Sequence, residues 1–305
     1  MNNVQLWIVG SIGIDAIETP GEKRADLLGG SVTYACAAAS FFTPVGAVGV
    51  VGSDFPAAFL ERYRRFGIDL AGLQTRPGET FRWSGVYEAD FINRRTLDTR
   101  LGVFGDFSPE LPETFRDAPF VLLGNISPSL QLHVLDQARG QPFVVVDTMD
   151  LWIRIARPEL VQVIRRANLL TLNDSEARLL TGHHNLLACA RAVLEMGPQF
   201  VVIKKGEHGA MLCSKQGFAL IPAFPVEQVV DPTGAGDCFA GAFMGYLAQT
   251  RVRRIDEPLL RRALLHGSVV ASFGVEAFST ERLEKLERSE INSRVDALRS
   301  MSALE

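Results

Sequence analysis

Short apolar runs bounded by glycine or polar clusters alternate with amphipathic stretches along most of this chain. Gln5–Val9 reads as a strand that ends at Gly10-Ser11-Ile12-Gly13-Ile14-Asp15. Ser31–Phe42 is alanine-rich and predicts a tightly packed helix, Val45–Val51 a strand, and Phe55–Phe66 an amphipathic helix with Arg62, Arg64 and Arg65 outward. Strands recur at Phe120–Leu123, Phe143–Asp147, Leu169–Leu172, Phe200–Ile203 and Ala210–Cys213, and His266–Glu276 reads as a buried helix ending at Gly274. This alternation predicts an α/β fold with a mainly parallel sheet and helices on both faces. Two regions break the rhythm. Glu18–Leu28 is polar and carries Pro20-Gly21, and Phe81–Phe107 is strand-like without helical period; both suit a small β-structure at the sheet edge.

Composition narrows the classes. At 305 residues and 47% apolar, the chain suits a single domain, 1–305, with a sizeable core. The formal net charge of -4 argues against a nucleic-acid surface. Arg251, Arg253, Arg254, Arg261 and Arg262 are interleaved with Asp256 and Glu257, the pattern of a solvated helix face. Cys36, Cys189, Cys213 and Cys238 lack zinc or redox spacing and sit in apolar stretches, as reduced core residues do. No apolar run approaches the roughly 20 residues of a membrane span. Met1–Gln5 has no basic, apolar leader, so a cytoplasmic protein is expected.

The chemistry concentrates at Val229-Val230-Asp231-Pro232-Thr233-Gly234-Ala235-Gly236-Asp237, followed by the small, apolar Cys238–Met244. It reads as a strand end, a glycine turn and the first turn of a buried helix. Unpaired N–H groups and the helix dipole attract an anion there, and Gly234 and Gly236 let the backbone approach it. Asp237 is placed to face both a phosphate and a substrate hydroxyl, which is an anion cradle plus a base. The bland alternative is a capped helix after an ordinary turn.

This run resembles the C-terminal signature of the ribokinase-like (PfkB-type) carbohydrate kinases, and further matches follow in that family's order over roughly residues 5–280. The resemblance implies a three-layer ribokinase-like sandwich with a β-lid from about 16–28 and 81–107, which in the family often pairs subunits into a homodimer. It implies ATP and Mg2+, with K+ as a further cofactor. Gly234, Ala235 and Gly236 would cradle phosphate beside the catalytic Asp237. Asp15 matches an aspartate that binds substrate hydroxyls. Gly29-Gly30-Ser31 matches the family's diglycine signature, where a helix start offers N–H groups to a polar ligand. Asn173-Asp174-Ser175-Glu176 fits its Asn-x-x-Glu motif, in which Glu176, and Asn173 through water, hold the magnesium shell; the same four residues also spell a capping box. Lys204-Lys205-Gly206-Glu207-His208-Gly209 resembles the nucleotide-side hairpin, with Lys204, Gly206, Gly209 and Thr233 near ATP. His266–Glu276 would wall the adenine pocket, and Asp231 would share a monovalent-cation site.

Two positions depart from the family. Tyr34 stands where an asparagine is common, and Gly13 replaces an asparagine of some sugar-specific members, leaving a void. The acceptor is accordingly a sugar or polyol, or a nucleoside stacked on lid aromatics among Phe81, Trp83, Tyr87 and Phe91. A non-catalytic sensor would not need Asp237. The N-terminal glycines lack dinucleotide spacing, and the Walker and protein-kinase motifs are missing.

Overall fold

The computed structural model describes residues 4–252 and 255–302. Its central sheet has nine strands in the order β13-β12-β11-β10-β9-β8-β1-β4-β5. These are β1 (Leu6–Val9), β4 (Val45–Gly52), β5 (Asp69–Arg76), β8 (Phe120–Leu123), β9 (Phe143–Asp147), β10 (Leu169–Asn173), β11 (Phe200–Lys204), β12 (Ala210–Ser214) and β13 (Phe218–Ile221). All neighbours run parallel except at β12 and β13, which pair antiparallel on one edge. The interior strands β1, β8, β9, β10 and β11 are near-continuous apolar runs because both faces are covered.

One face carries α1 (Ser31–Ser40), α2 (Ala57–Arg65), α8 (Ala235–Gln249) and α9 (Glu257–Gly274); the other carries α3 (Pro128–Leu135), α5 (Arg157–Arg166), α6 (Asp174–Thr181) and α7 (Leu186–Met196), with α4 (Asp150–Ile155) beside them. The alanine-rich α1 is buried from Ser31 to Ala39. A Cβ at Gly241 would lie 2.1 Å from the Ala35 carbonyl, and one at Gly245 would lie 2.8 Å from that of Ala39. Small side chains thus let α1 and α8 touch backbone to backbone.

The second sheet has the order β3-β2-β6-β7, formed by β2 (Gly13–Glu18), β3 (Lys23–Gly29), β6 (Phe81–Tyr87) and β7 (Arg94–Arg100). Gly102–Asp106, inside the strand-like run expected to Phe107, is a 3-10 turn. Arg24 on β3 makes two hydrogen bonds, 2.7 and 3.0 Å, to Glu281 beyond α9, and Arg82 on β6 reaches Asp54 after β4 at 3.0 Å. Ile17, Leu27, Tyr87 and Phe278 form a small core beneath this sheet.

Several expectations need correction. Asp15 lies within β2, because the chain turns at Gly10–Ile12 and leaves the main sheet before reaching it. Arg251 is not on a helix; it sits in a loop at positive φ. Arg253 and Arg254 lie outside the described residues, as do Met1–Asn3 of the leader reading. Arg261, by contrast, is on α9 and pairs with Glu257 one turn earlier. Beyond the span of the resemblance, the chain forms α10 (Arg288–Ser302), which buries Ile291, Val295 and Leu298 against the core. The four cysteines are free and buried. Among the described residues no helix is long and apolar enough to cross a membrane.

Candidate active site

Strands β9, β10 and β11 end side by side. Their register pairs Asp147 with Thr171 and Asn173 with Lys204, and alternation puts these four side chains on one face of the sheet. That is the face on which α8 lies. Lys204 reaches across β10, and its Nζ donates to Asp147 Oδ1 at 2.9 Å, with both side chains largely buried.

Helix α8 arrives over this row with its N-terminus first. Gly234 is its N-cap, in the left-handed region at φ 77°. A Cβ there would fall 2.3 Å from the ring of Tyr34, so only glycine satisfies both the turn and the ring beneath it. A Cβ on Gly236 would stand 3.2 Å from Lys204 Nζ. The ammonium therefore lies against the first turn of α8. Asp237 follows in that turn. Burial, then the charge of Asp147, pushes its carboxyl up to about 7, against the opposing pull of Lys204 and Arg94.

The Asn173–Glu176 tetrapeptide is a true capping box: Asn173 Oδ1 accepts from Glu176 N at 2.8 Å, and Glu176 Oε2 accepts from Asn173 N at 2.7 Å. The box uses Oε2 only. Glu176 is buried, and that burial raises its carboxyl to about 7, Lys204 opposing.

Asp15 is buried under the second sheet, where a Cβ on Gly29 would lie 1.9 Å from its Oδ2. Burial, then the charges of Asp231 and Asp237, lifts it to about 8. The diglycine does not present a free helix start. Ser31 N donates to Ser11 Oγ at 3.1 Å and Val32 N to Ser11 O at 3.0 Å, so these two donors are already used. What Gly29 and Gly30 provide is close approach, to Asp15 and to the Ser11 carbonyl respectively. Tyr34 is buried, and its hydroxyl has no hydrogen-bond partner. Gly13 leaves no void either: a Cβ there would meet the Phe81 ring at 2.6 Å.

Asp231 is 1% exposed. Its Oδ1 accepts from Thr233 N at 2.9 Å, and its Oδ2 has no hydrogen-bond partner among the described residues. Gly206 and Gly209 shape the β11–β12 hairpin at φ 55° and 80°, and no hydrogen bond joins them to the cluster. His266 stacks on Tyr246, with centroids 4.1 Å apart, and burial lowers it to about 4; it is a core ring.

Sequence reasoning did not mark two residues that the structure brings to this cluster. Asp147 had a signal, being an acid at the C-terminal end of a buried parallel strand, where open α/β sheets bind ligands. Arg94, whose charge reaches Asp237, comes from the second sheet and had none, while Tyr87, named only among the lid aromatics, accepts a hydrogen bond from Thr233 Oγ1 at 3.1 Å.

The sequence profile of the pfkB family carbohydrate kinases matches residues 15–285. The chain is 31% identical over 262 residues to a cytidine kinase of Thermococcus kodakarensis, covering 83% of this chain and 91% of the relative. In fold it is similar to a ribokinase from Giardia lamblia, with a TM-score of 0.81 at 21% identity over 98% of this chain and 100% of that one. It also resembles a putative ribokinase II from E. coli in complex with ATP and Mg2+, with a TM-score of 0.78 at 20% identity over 96% and 99% of the two chains. The chain therefore belongs to the pfkB family of carbohydrate kinases and is a phosphotransferase acting on an alcohol group.

Proposed function

We propose that this chain transfers the γ-phosphate of ATP to a hydroxyl of a nucleoside, with Asp237 as general base. The observation that carries the reading is the meeting of Asp237, Lys204 and the first turn of α8 at one point. ATP phosphates would lie over Thr233–Asp237, where Gly234 and Gly236 bring backbone N–H groups to the transferring group and Lys204 supplies positive charge, while the Ala235 N–H already donates to Pro232 O at 3.2 Å. The carboxylate of Asp237 accepts the acceptor's hydroxyl proton as the oxygen attacks.

Among the described residues no three His, Cys, Asp or Glu side chains form a metal cage. Magnesium would be held by water and phosphate with Glu176, and Asn173 behind it, in its shell, neutralising charge on the phosphates. Asp231 Oδ2 suits a monovalent cation such as K+. Gly206 and Gly209 would lie along the nucleotide. Asp15 would hold acceptor hydroxyls, with Gly29 and Gly30 permitting its approach.

A nucleoside is favoured over a free sugar by the cytidine kinase relative. The Phe81 ring beside Gly13, and Tyr34 under Gly234, leave ribose without two amide partners, at about 1 kcal/mol for each ordinary hydrogen bond lost. The second sheet would act as the lid of one domain spanning 1–305 in a cytoplasmic enzyme. Its edge strand β7, with Leu97 49% exposed and Leu101 52% exposed beside it, would pair with a second subunit. The test is ADP release with magnesium-ATP across nucleosides, polyols, hexoses and ribose. A nucleoside should give the highest kcat/KM, and ribose in first place would refute the acceptor argument.

A further inference from the structure

The buried acid at the end of β9, whose charge helps to raise Asp237, has no role of its own in the reaction described so far. We propose that Asp147 is a positioning residue, which anchors the Lys204 ammonium against the first turn of α8 so that it meets a bound nucleotide's phosphates. The inference rests on the kinase reading above.

Lysine has four rotatable bonds and three donors, so a lysine at a strand end has many directions open to it. Here one is selected. Lys204 leaves the last position of β11, crosses the end of β10 and stops 2.9 Å from Asp147 Oδ1. Thr171, which lies between them in the register, has a buried hydroxyl with no hydrogen-bond partner among the described residues, so it does not hold the ammonium. From this anchorage Nζ lies 3.2 Å from the point a Gly236 Cβ would occupy. Lys205, its neighbour, is half-buried on the hairpin and makes no ion pair with Asp147.

An ammonium is costly to bury without a counter-charge, and Asp147 supplies one. One donor is committed to Asp147, which leaves the remaining two for oxygens at the helix start. Asp147 Oδ1 accepts from Lys204, and a carboxylate would repel phosphate rather than bind it. Its effect on nucleotide passes through Lys204.

The experiment is calorimetric titration of ADP into wild type, Asp147→Asn, Lys204→Gln and the double variant, with KM for ATP and for the acceptor measured in parallel. Removing the charge that holds a charge-assisted contact should weaken ADP by about 10-fold or more. KM for ATP should rise with it while KM for the acceptor stays within about twofold. The double variant should bind ADP like Lys204→Gln alone, because Asp147 has nothing left to position. Asp147→Asn that melts lower but binds ADP as wild type does would overturn the proposal and leave the pair a tie between strands. A double variant weaker than Lys204→Gln would also overturn it, since Asp147 would then act directly. If Asp147→Asn does not fold, Asp147→Ser takes its place, with the same expected loss of ADP affinity and the same overturning result. Wild type that fails to bind ADP would instead sink the kinase reading, and this inference with it.

Discussion

Asp237→Asn should make the protein more stable and nearly inactive. The wild-type carboxyl sits at about 7 against an ordinary 3.8, chiefly because burial penalises its charged form. A carboxyl with a raised folded value binds a proton in the native state while the unfolded chain has released it. Stability therefore falls as pH rises from about 4 to about 7, and the loss is complete above that. A gap of about three pH units at about 1.4 kcal/mol each gives about 4 kcal/mol as an upper bound at pH 8. Loss of the negative charge at the helix N-terminus returns about 0.3–1 kcal/mol. At about 1–2 °C per kcal/mol for a chain of this size, the asparagine variant should melt about 3–6 °C higher at pH 8. The difference should shrink steadily toward pH 4. Turnover should drop at least ~100-fold, as removal of a general base requires. Thermal melts of both proteins from pH 4 to 9, beside an ADP-release assay, read both effects. A variant that melts lower at pH 8, or a difference that ignores pH, would refute the electrostatic account; near-normal turnover would refute the base.

Gly234→Ala combines a left-handed φ, costing about 1–2 kcal/mol, with a Cβ 2.3 Å from the Tyr34 ring. A denaturation midpoint close to wild type would contradict that packing. Glu176→Gln should raise the magnesium concentration for half-maximal activity while acceptor KM holds. If only the melting temperature moves, the residue is a helix cap and nothing more. Sedimentation velocity should find a dimer through the second sheet at micromolar concentration, and a monomer throughout that range would rule out stable pairing.

Much of the main sheet was legible because its signal is local. Phe143–Asp147 and Phe120–Leu123 are short buried runs between breakers, and their strands fall where the pattern puts them. The Asp-Pro-Thr-Gly-Ala-Gly-Asp run was legible for the same reason: a glycine turn, a helix start and a carboxylate in its first turn are consecutive in the chain. β5 and β13 were not, being half-exposed edge strands without a continuous apolar run. The C-terminal segment lies outside the motifs of the resemblance, and what holds it is tertiary: Arg288 lies 4.1 Å over the Phe42 ring and Arg294 3.5 Å over that of Phe273.

The site divides in the same way. The sequence by itself determined which residues could carry the chemistry, since Asp237, Gly234 and Glu176 are marked by their immediate neighbours. Only the tertiary structure decided that Asp147 and Lys204 form a pair across an intervening strand, that Tyr34 lies beneath Gly234, and that Ser11 consumes the N–H groups after Gly30. It also set the charge state of the acids. A carboxyl at about 7 or 8 arises from burial and from like charges brought together by packing. Neither is a property of neighbours in sequence, because desolvation exists only once distant segments have closed over the group.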